Sequence, residues 1–168
     1  DKTALKDLAN AKGKTLVFEG GSEDTANYGK ATYGNTYHVR MRPSVIEMPE
    51  GADVTFRNIT LKYDEGTQAD IDELVFISNG NKLTFGENVS FIKTGEADNG
   101  YPTVYAGGNQ IDAKTKGELD IQSGTYTSVY GGNYNSDSSG KDAAVTISKT
   151  ATIKDTLSGG SDKEAGEV

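Results

Sequence analysis

The sequence predicts an all-β fold: a parallel β-helix of about five coils behind a short N-terminal capping α-helix. Three observations predict it. Two interleaved series of short apolar-polar-apolar segments recur roughly every 28 residues. Two-residue hairpin signals are missing between them, so the recurring strands are expected to stack parallel rather than fold back. Helical spacing is confined to the first 13 residues.

In chain order, Thr3 to Gly13 reads as the capping helix. Leu5, Leu8 and Ala9 fall on one face, and Gly13 is a suitable C-terminal stop. Thr15-Leu16-Val17-Phe18 reads as the first strand, closed by Gly20-Gly21. Residues 22–37 are polar and tyrosine-bearing, and read as a long loop. Residues 37–42 then alternate, as a half-buried strand does.

The repeats follow. Val54, Leu83, Leu119 and Val145 each open a segment of the same form, at separations of 29, 36 and 26 residues. A second series opens at Val45, Val75, Val104, Val129 and Leu157, separated by 30, 29, 25 and 28 residues. Length variation is confined to polar loops. Asn58 and Asn88 occupy equivalent turns, where stacked amides are placed to hydrogen-bond along the column. The domain reading is a cap over 1–13 and a β-helix over 14–168. The β-helix is expected to be the N-terminal part of a longer array, with further coils or domains of the same polypeptide as partners.

Composition agrees with a thin-layered fold. The chain has 168 residues, 21 of them Gly, no Cys, no Trp, and a formal charge of -8. Leu, Ile, Val and Phe supply only 32 residues, which by itself would suit a disordered chain. A solenoid layer needs few of them. The negative charge argues against nucleic acid and anionic membrane partners. No apolar run approaches membrane-spanning length, so no membrane insertion is expected. Without Cys there are no thiolate metal sites or thiol nucleophiles.

The opening Leu5-Lys-Asp-Leu-Ala-Asn-Ala-Lys-Gly-Lys-Thr-Leu-Val17 resembles the N-terminal cap and first strand of right-handed, pectin-lyase-like parallel β-helices. The runs at 53–61, 81–90 and 123–132 resemble β-helix repeats of Gram-positive bacterial cell-surface proteins. The resemblance implies a right-handed, single-stranded β-helix and an extracellular location, on the bacterial surface or secreted. It implies little about function, because this fold carries lyases, hydrolases, adhesins and passive stalks.

Candidate sites are few. The residues Ile46, Phe76, Tyr105 and Tyr130 suggest either a core ladder or an exposed sugar platform. Parity with Glu47 and Val45 favours the core. Tyr28, Tyr33 and Tyr37 with His38, Arg40 and Arg42 combine aromatic faces with planar guanidinium donors, a pattern suited to a glycan. Tyr134, in a Gly-Asn turn, is a further ligand candidate. Asp64, Asp70 and Asp72 are weak Ca²⁺ candidates in an acidic run that lacks the EF-hand order. No other cofactor is expected. The sequons at Asn58 and Asn88 are products of the repeat itself.

Catalysis finds little support. His38 is the only histidine, and the outward positions Thr55, Thr84, Asp120 and Thr146 offer one carboxylate. The expected function is a non-catalytic binding or adhesion module with a host or plant glycan, or another host surface component, as ligand. A structural spacer and a fragment of a polysaccharide lyase or glycoside hydrolase are the alternatives.

Overall fold

A computed structural model describes residues 5–8, 10–20, 38–41, 45–63, 74–93, 101–110, 115–135, 143–148 and 150–161. The described chain is almost entirely short strands in parallel sheets. Consecutive strands enter different sheets. One sheet holds β1 (Thr15–Glu19), β4 (Asp53–Arg57), β7 (Lys82–Phe85), β10 (Glu118–Ile121) and β13 (Ala144–Ile147), in that order. A second holds β3 (Val45–Glu47), β6 (Val75–Ile77), β9 (Thr103–Tyr105), β12 (Val129–Tyr130) and β15 (Leu157–Ser158). A third holds β2 (His38–Met41), β5 (Ile59–Tyr63) and β8 (Val89–Lys93), and a fourth pairs β11 (Thr125–Tyr126) with β14 (Thr152–Ile153).

The first repeat series is a hydrogen-bonded register. Val54 faces Leu83, Leu83 faces Leu119, and Leu119 faces Val145. β1 joins the same ladder through Leu16 and Val54, although a 17-residue polar segment, 21–37, intervenes. Loop-closure entropy grows only slowly with length, so a long insertion between stacked strands costs little.

Alternation along each strand feeds one core. Val54, Leu83 and Leu119 are fully buried, as are Phe85 and Ile121 one position pair further along. Phe18, Phe56 and Phe85 stack in file, at centroid separations of 5.0 and 5.5 Å. Phe76 meets Phe56 and Phe85 edge-on from the second sheet, at 5.8 and 5.2 Å. Stacked pairs within a ladder and edge-to-face pairs across it are both favourable ring geometries, so phenylalanine rings from different sheets pack together at the middle of the core.

The turns carry their own ladder. Asn58 and Asn88 both adopt the left-handed region, with φ 49° and 54°, and Asn88 Nδ2 donates to Asn58 Oδ1 at 2.9 Å. Asn tolerates this conformation better than other side chains, and the amide pair satisfies both turns. The column of amides expected at these two positions is therefore present.

Between β8 and β11 the backbone ladder gives way to side chains. Ser123 Oγ accepts the Val89 N–H at 2.9 Å and donates to the Gly86 carbonyl. Tyr126 lies edge-on to Phe85 and Phe91 at 5.4 and 5.3 Å, and its hydroxyl donates to the Ser123 carbonyl at 2.9 Å.

The N-terminal α-helix does not form. Among the described residues it is a single 3₁₀ turn, Leu5–Asp7. So short a segment gains too few helical hydrogen bonds to offset nucleation. Asn10 and Gly13 turn the chain at positive φ, and Gly13 N–H is taken by the Gly51 carbonyl at 2.8 Å. Leu5 packs on the core, as a cap would, while Leu8 remains 39% exposed. No helix among the described residues is long and apolar enough to cross a membrane.

Burial raises the Tyr126 hydroxyl well above the ordinary tyrosine pKa. An unfolded tyrosine ionises near pH ~10, so this group's stabilising effect is complete below that pH and is lost as pH rises through the folded value. Urea unfolding should show Tyr126→Phe costing about 1 kcal/mol at neutral pH, from the lost hydrogen bond. The variant should also lose stability less steeply than the parent above pH ~10. Equal alkaline slopes would contradict the assignment.

Candidate functional site: a tyrosine face on the second sheet

The second repeat series turns a different face away from the main core than its sequence suggests. Val45 faces Val75, but Val75 faces Thr103, not Val104. The inward column is therefore Ile46, Phe76, Val104, Val129 and Leu157. The outward column is Glu47, Ile77, Tyr105, Tyr130 and Ser158. Tyr105 and Tyr130 do not continue the Ile46–Phe76 core column. Phe76 fixes this, because its ring is locked among Phe56, Phe85 and Phe91 and the next inward place goes to Val104. A slip of one residue exchanges the two faces of a strand.

The turns behind each strand hold the register. Gly80 N–H bonds to the Ala106 carbonyl at 3.1 Å, Gly107 N–H to Gly132 at 2.9 Å, and Gly132 N–H to Gly160 at 2.9 Å. The backbones approach so closely that a Cβ on Gly107 would lie 2.7 Å from the Gly132 carbonyl. Only glycine fits there. The buried Asn133 side chain closes the turn, accepting the Gly108 N–H at 2.8 Å.

Beyond this turn the chain folds Tyr134 back over the sheet. Gln110 N–H bonds to the Tyr134 carbonyl, and Tyr134 N–H to the Gly108 carbonyl, both at 2.9 Å. Three tyrosines thus meet. Tyr105 and Tyr130 stack at 4.8 Å with 12° between planes, and Tyr134 meets Tyr105 edge-on at 5.1 Å. Tyr105 is 4% exposed and lies at the base, while Tyr130 and Tyr134 are half-buried. With Val45, Val75 and Ile77 they form an apolar cluster separate from the main core.

The polar rim lies at the Glu47 end. Glu47 Oε1 accepts from Lys6 Nζ at 2.9 Å and from Asn109 Nδ2 at 3.1 Å. The carboxylate's hydrogen bond and charge raise the Lys6 pKa. This ties the N-terminal turn to the tyrosine face. Lys6 is largely solvated, so the pair contributes little stability and mainly fixes position.

Of the sequence candidates, the structure brings Tyr134 into this cluster. His38 and Arg40 lie in β2 of the third sheet, paired with Thr60 and Lys62. That sheet contains neither β9 nor β12, the strands that carry Tyr105 and Tyr130. Tyr28, Tyr33, Tyr37 and Arg42, and the Ca²⁺ candidates Asp64, Asp70 and Asp72, lie outside the described residues. Among the described residues no three acidic or histidine side chains group to hold a metal ion. The outward column Thr55, Thr84, Asp120 and Thr146 is in register, and Asp120 accepts from Gln122 at 2.9 Å.

Tyr105 and Tyr130 were readable from a different alignment. Matching repeats by their turns, Asn79-Gly80 on Gly107-Gly108, places Ile77 opposite Tyr105, as observed. Matching them by their leading valines does not. Comparison with protein-family models, curated proteins and solved structures finds no match.

Gly107→Ala should cost at least about 1–3 kcal/mol in urea unfolding, because stacked backbone must move to admit the methyl group. Gly13→Ala, strained at φ 72° but facing open space, should cost about 1–2 kcal/mol. Only the first should also weaken the near-ultraviolet circular dichroism of the tyrosine stack. Equal spectra for the two variants would contradict the role given to the glycine ladder.

Proposed function

We propose that the chain is a right-handed parallel β-helix that serves as a non-catalytic binding module, with a glycan as its ligand. The β-helix reading rests on the strand order. Each sheet takes strands from successive repeats, every pairing is parallel, and inward residues of all the sheets join one core. Right-handedness follows the strong preference for right-handed crossovers between parallel strands.

The tyrosine face carries the functional reading. Half-buried Tyr130 and Tyr134 stand on the outward side of a sheet, beside glycine turns, with the amide-held Glu47 carboxylate at the other end of the column. Aromatic rings with hydroxyl tips suit the apolar faces and hydroxyl edges of sugar rings. The negative net charge disfavours nucleic acid as the stacking partner. The resemblance to bacterial surface repeats supports a location outside the cell.

A spacer is the second reading. Its support is the regularity of the ladders, which lengthen by about 4.8 Å per repeat whatever their surface does. Binding decides between them. On a printed array of plant and host oligosaccharides, the protein should bind a defined subset. Tyr130→Ala and Tyr134→Ala should each weaken that binding about tenfold, roughly 1.4 kcal/mol, while unfolding cooperatively. An array without binding would leave the spacer.

A further inference from the structure

Among the described residues, Tyr105 is the one ring that packs on Tyr130. Their planes lie 12° apart and their centroids 4.8 Å, so the rings are piled along the ladder at the strand spacing. One face of Tyr130 is covered by Tyr105. The opposite face points along the ladder toward β15, where the paired residue is Ser158. A small side chain follows two large ones. Above Ser158 the column therefore leaves a place about one ring thick, lying against an aromatic face.

The two paired strands at that place carry no charged side chain. On this side the paired strands contribute Tyr130 and Ser158, and glycines follow both strands. Ser158 is half-buried, while Leu157 stands on the opposite, inward side of the strand. Ser158 Oγ accepts the Gly160 N–H at 3.2 Å, which fixes the hydroxyl and keeps its own proton to donate. Among the described residues the place offers one flat apolar wall and one hydroxyl donor, which match a neutral sugar ring. Such a ring offers C–H groups on its face and hydroxyl acceptors on its edge.

We propose that the space above Ser158, against the face of Tyr130 turned away from Tyr105, is the subsite for a single neutral hexopyranose ring. The proposal rests on the glycan-binding reading and narrows it. The sugar ring takes the third place in the stack, and the Ser158 hydroxyl bonds to one of its oxygens.

Saturation-transfer NMR and titration with the methyl glycosides of glucose, galactose and mannose, and with their disaccharides, test it. Ser158→Tyr fills the place with a side chain that extends the existing stack. It should weaken binding of the recognised glycoside by about tenfold or more, and Ser158→Ala by no more than about threefold. Tyr130→Leu keeps apolar volume but removes the flat face, and should match Ser158→Tyr even if that variant folds poorly. If Ser158→Tyr and Tyr130→Leu both fold and bind like the parent while Tyr134→Ala does not, the subsite is overturned and the glycan reading stands. Absence of binding by the parent, to these probes and on the array alike, overturns both.

Discussion

Everything in this molecule depends on the parallel backbone ladder that joins each strand to its counterpart one repeat later. Such ladders fix neighbours at about 4.8 Å and make like positions face like positions. One register choice then decides a whole column of side chains. The leucine and valine column, the phenylalanine file, the asparagine pair and the tyrosine stack all follow from it. A change of register by one residue would reverse each of them together.

The ladder also explains how so few large hydrophobic residues suffice. A layer one strand deep has little interior, and rings stacked at the strand spacing fill it without gaps. Phe56 and Phe85 are buried because each covers the other and is crossed by Phe76. At the last repeat Val145 and Ile147 are only partly buried, although Leu119 and Ile121 in the same columns are fully buried. Burial here comes from neighbours along the stack, as expected where each repeat hides its apolar face only against the next.

How much was legible can be judged residue by residue. The spacing of Val54, Leu83, Leu119 and Val145 is the hydrogen-bond register itself, since an apolar-polar-apolar strand has only one way to face its repeat. The Asn58–Asn88 bond was legible for the same reason. The tyrosine face was not legible from strand alternation, only from aligning the turns. Val75-Phe76-Ile77 is apolar on both sides, so alternation gives no parity, and the packing of Phe76 decides. The N-terminal helix failed because tertiary bonds at Gly13 and the Leu5 contact outweighed a weak local periodicity.

The functional account stands on that same register, because it takes Tyr105 and Tyr130 out of the main core column and stacks them on the other side of the sheet, with Tyr130 half-buried. The most direct measurement is a set of nuclear Overhauser contacts among β6, β9 and β12 in solution. The account predicts contacts from the Phe76 ring to the Val104 methyls and from the Ile77 methyls to the Tyr105 ring. Contacts from the Phe76 ring to the Tyr105 ring, with Val75 methyls against Val104, would show the tyrosines facing inward. That result would contradict the register and the ligand-binding face built on it.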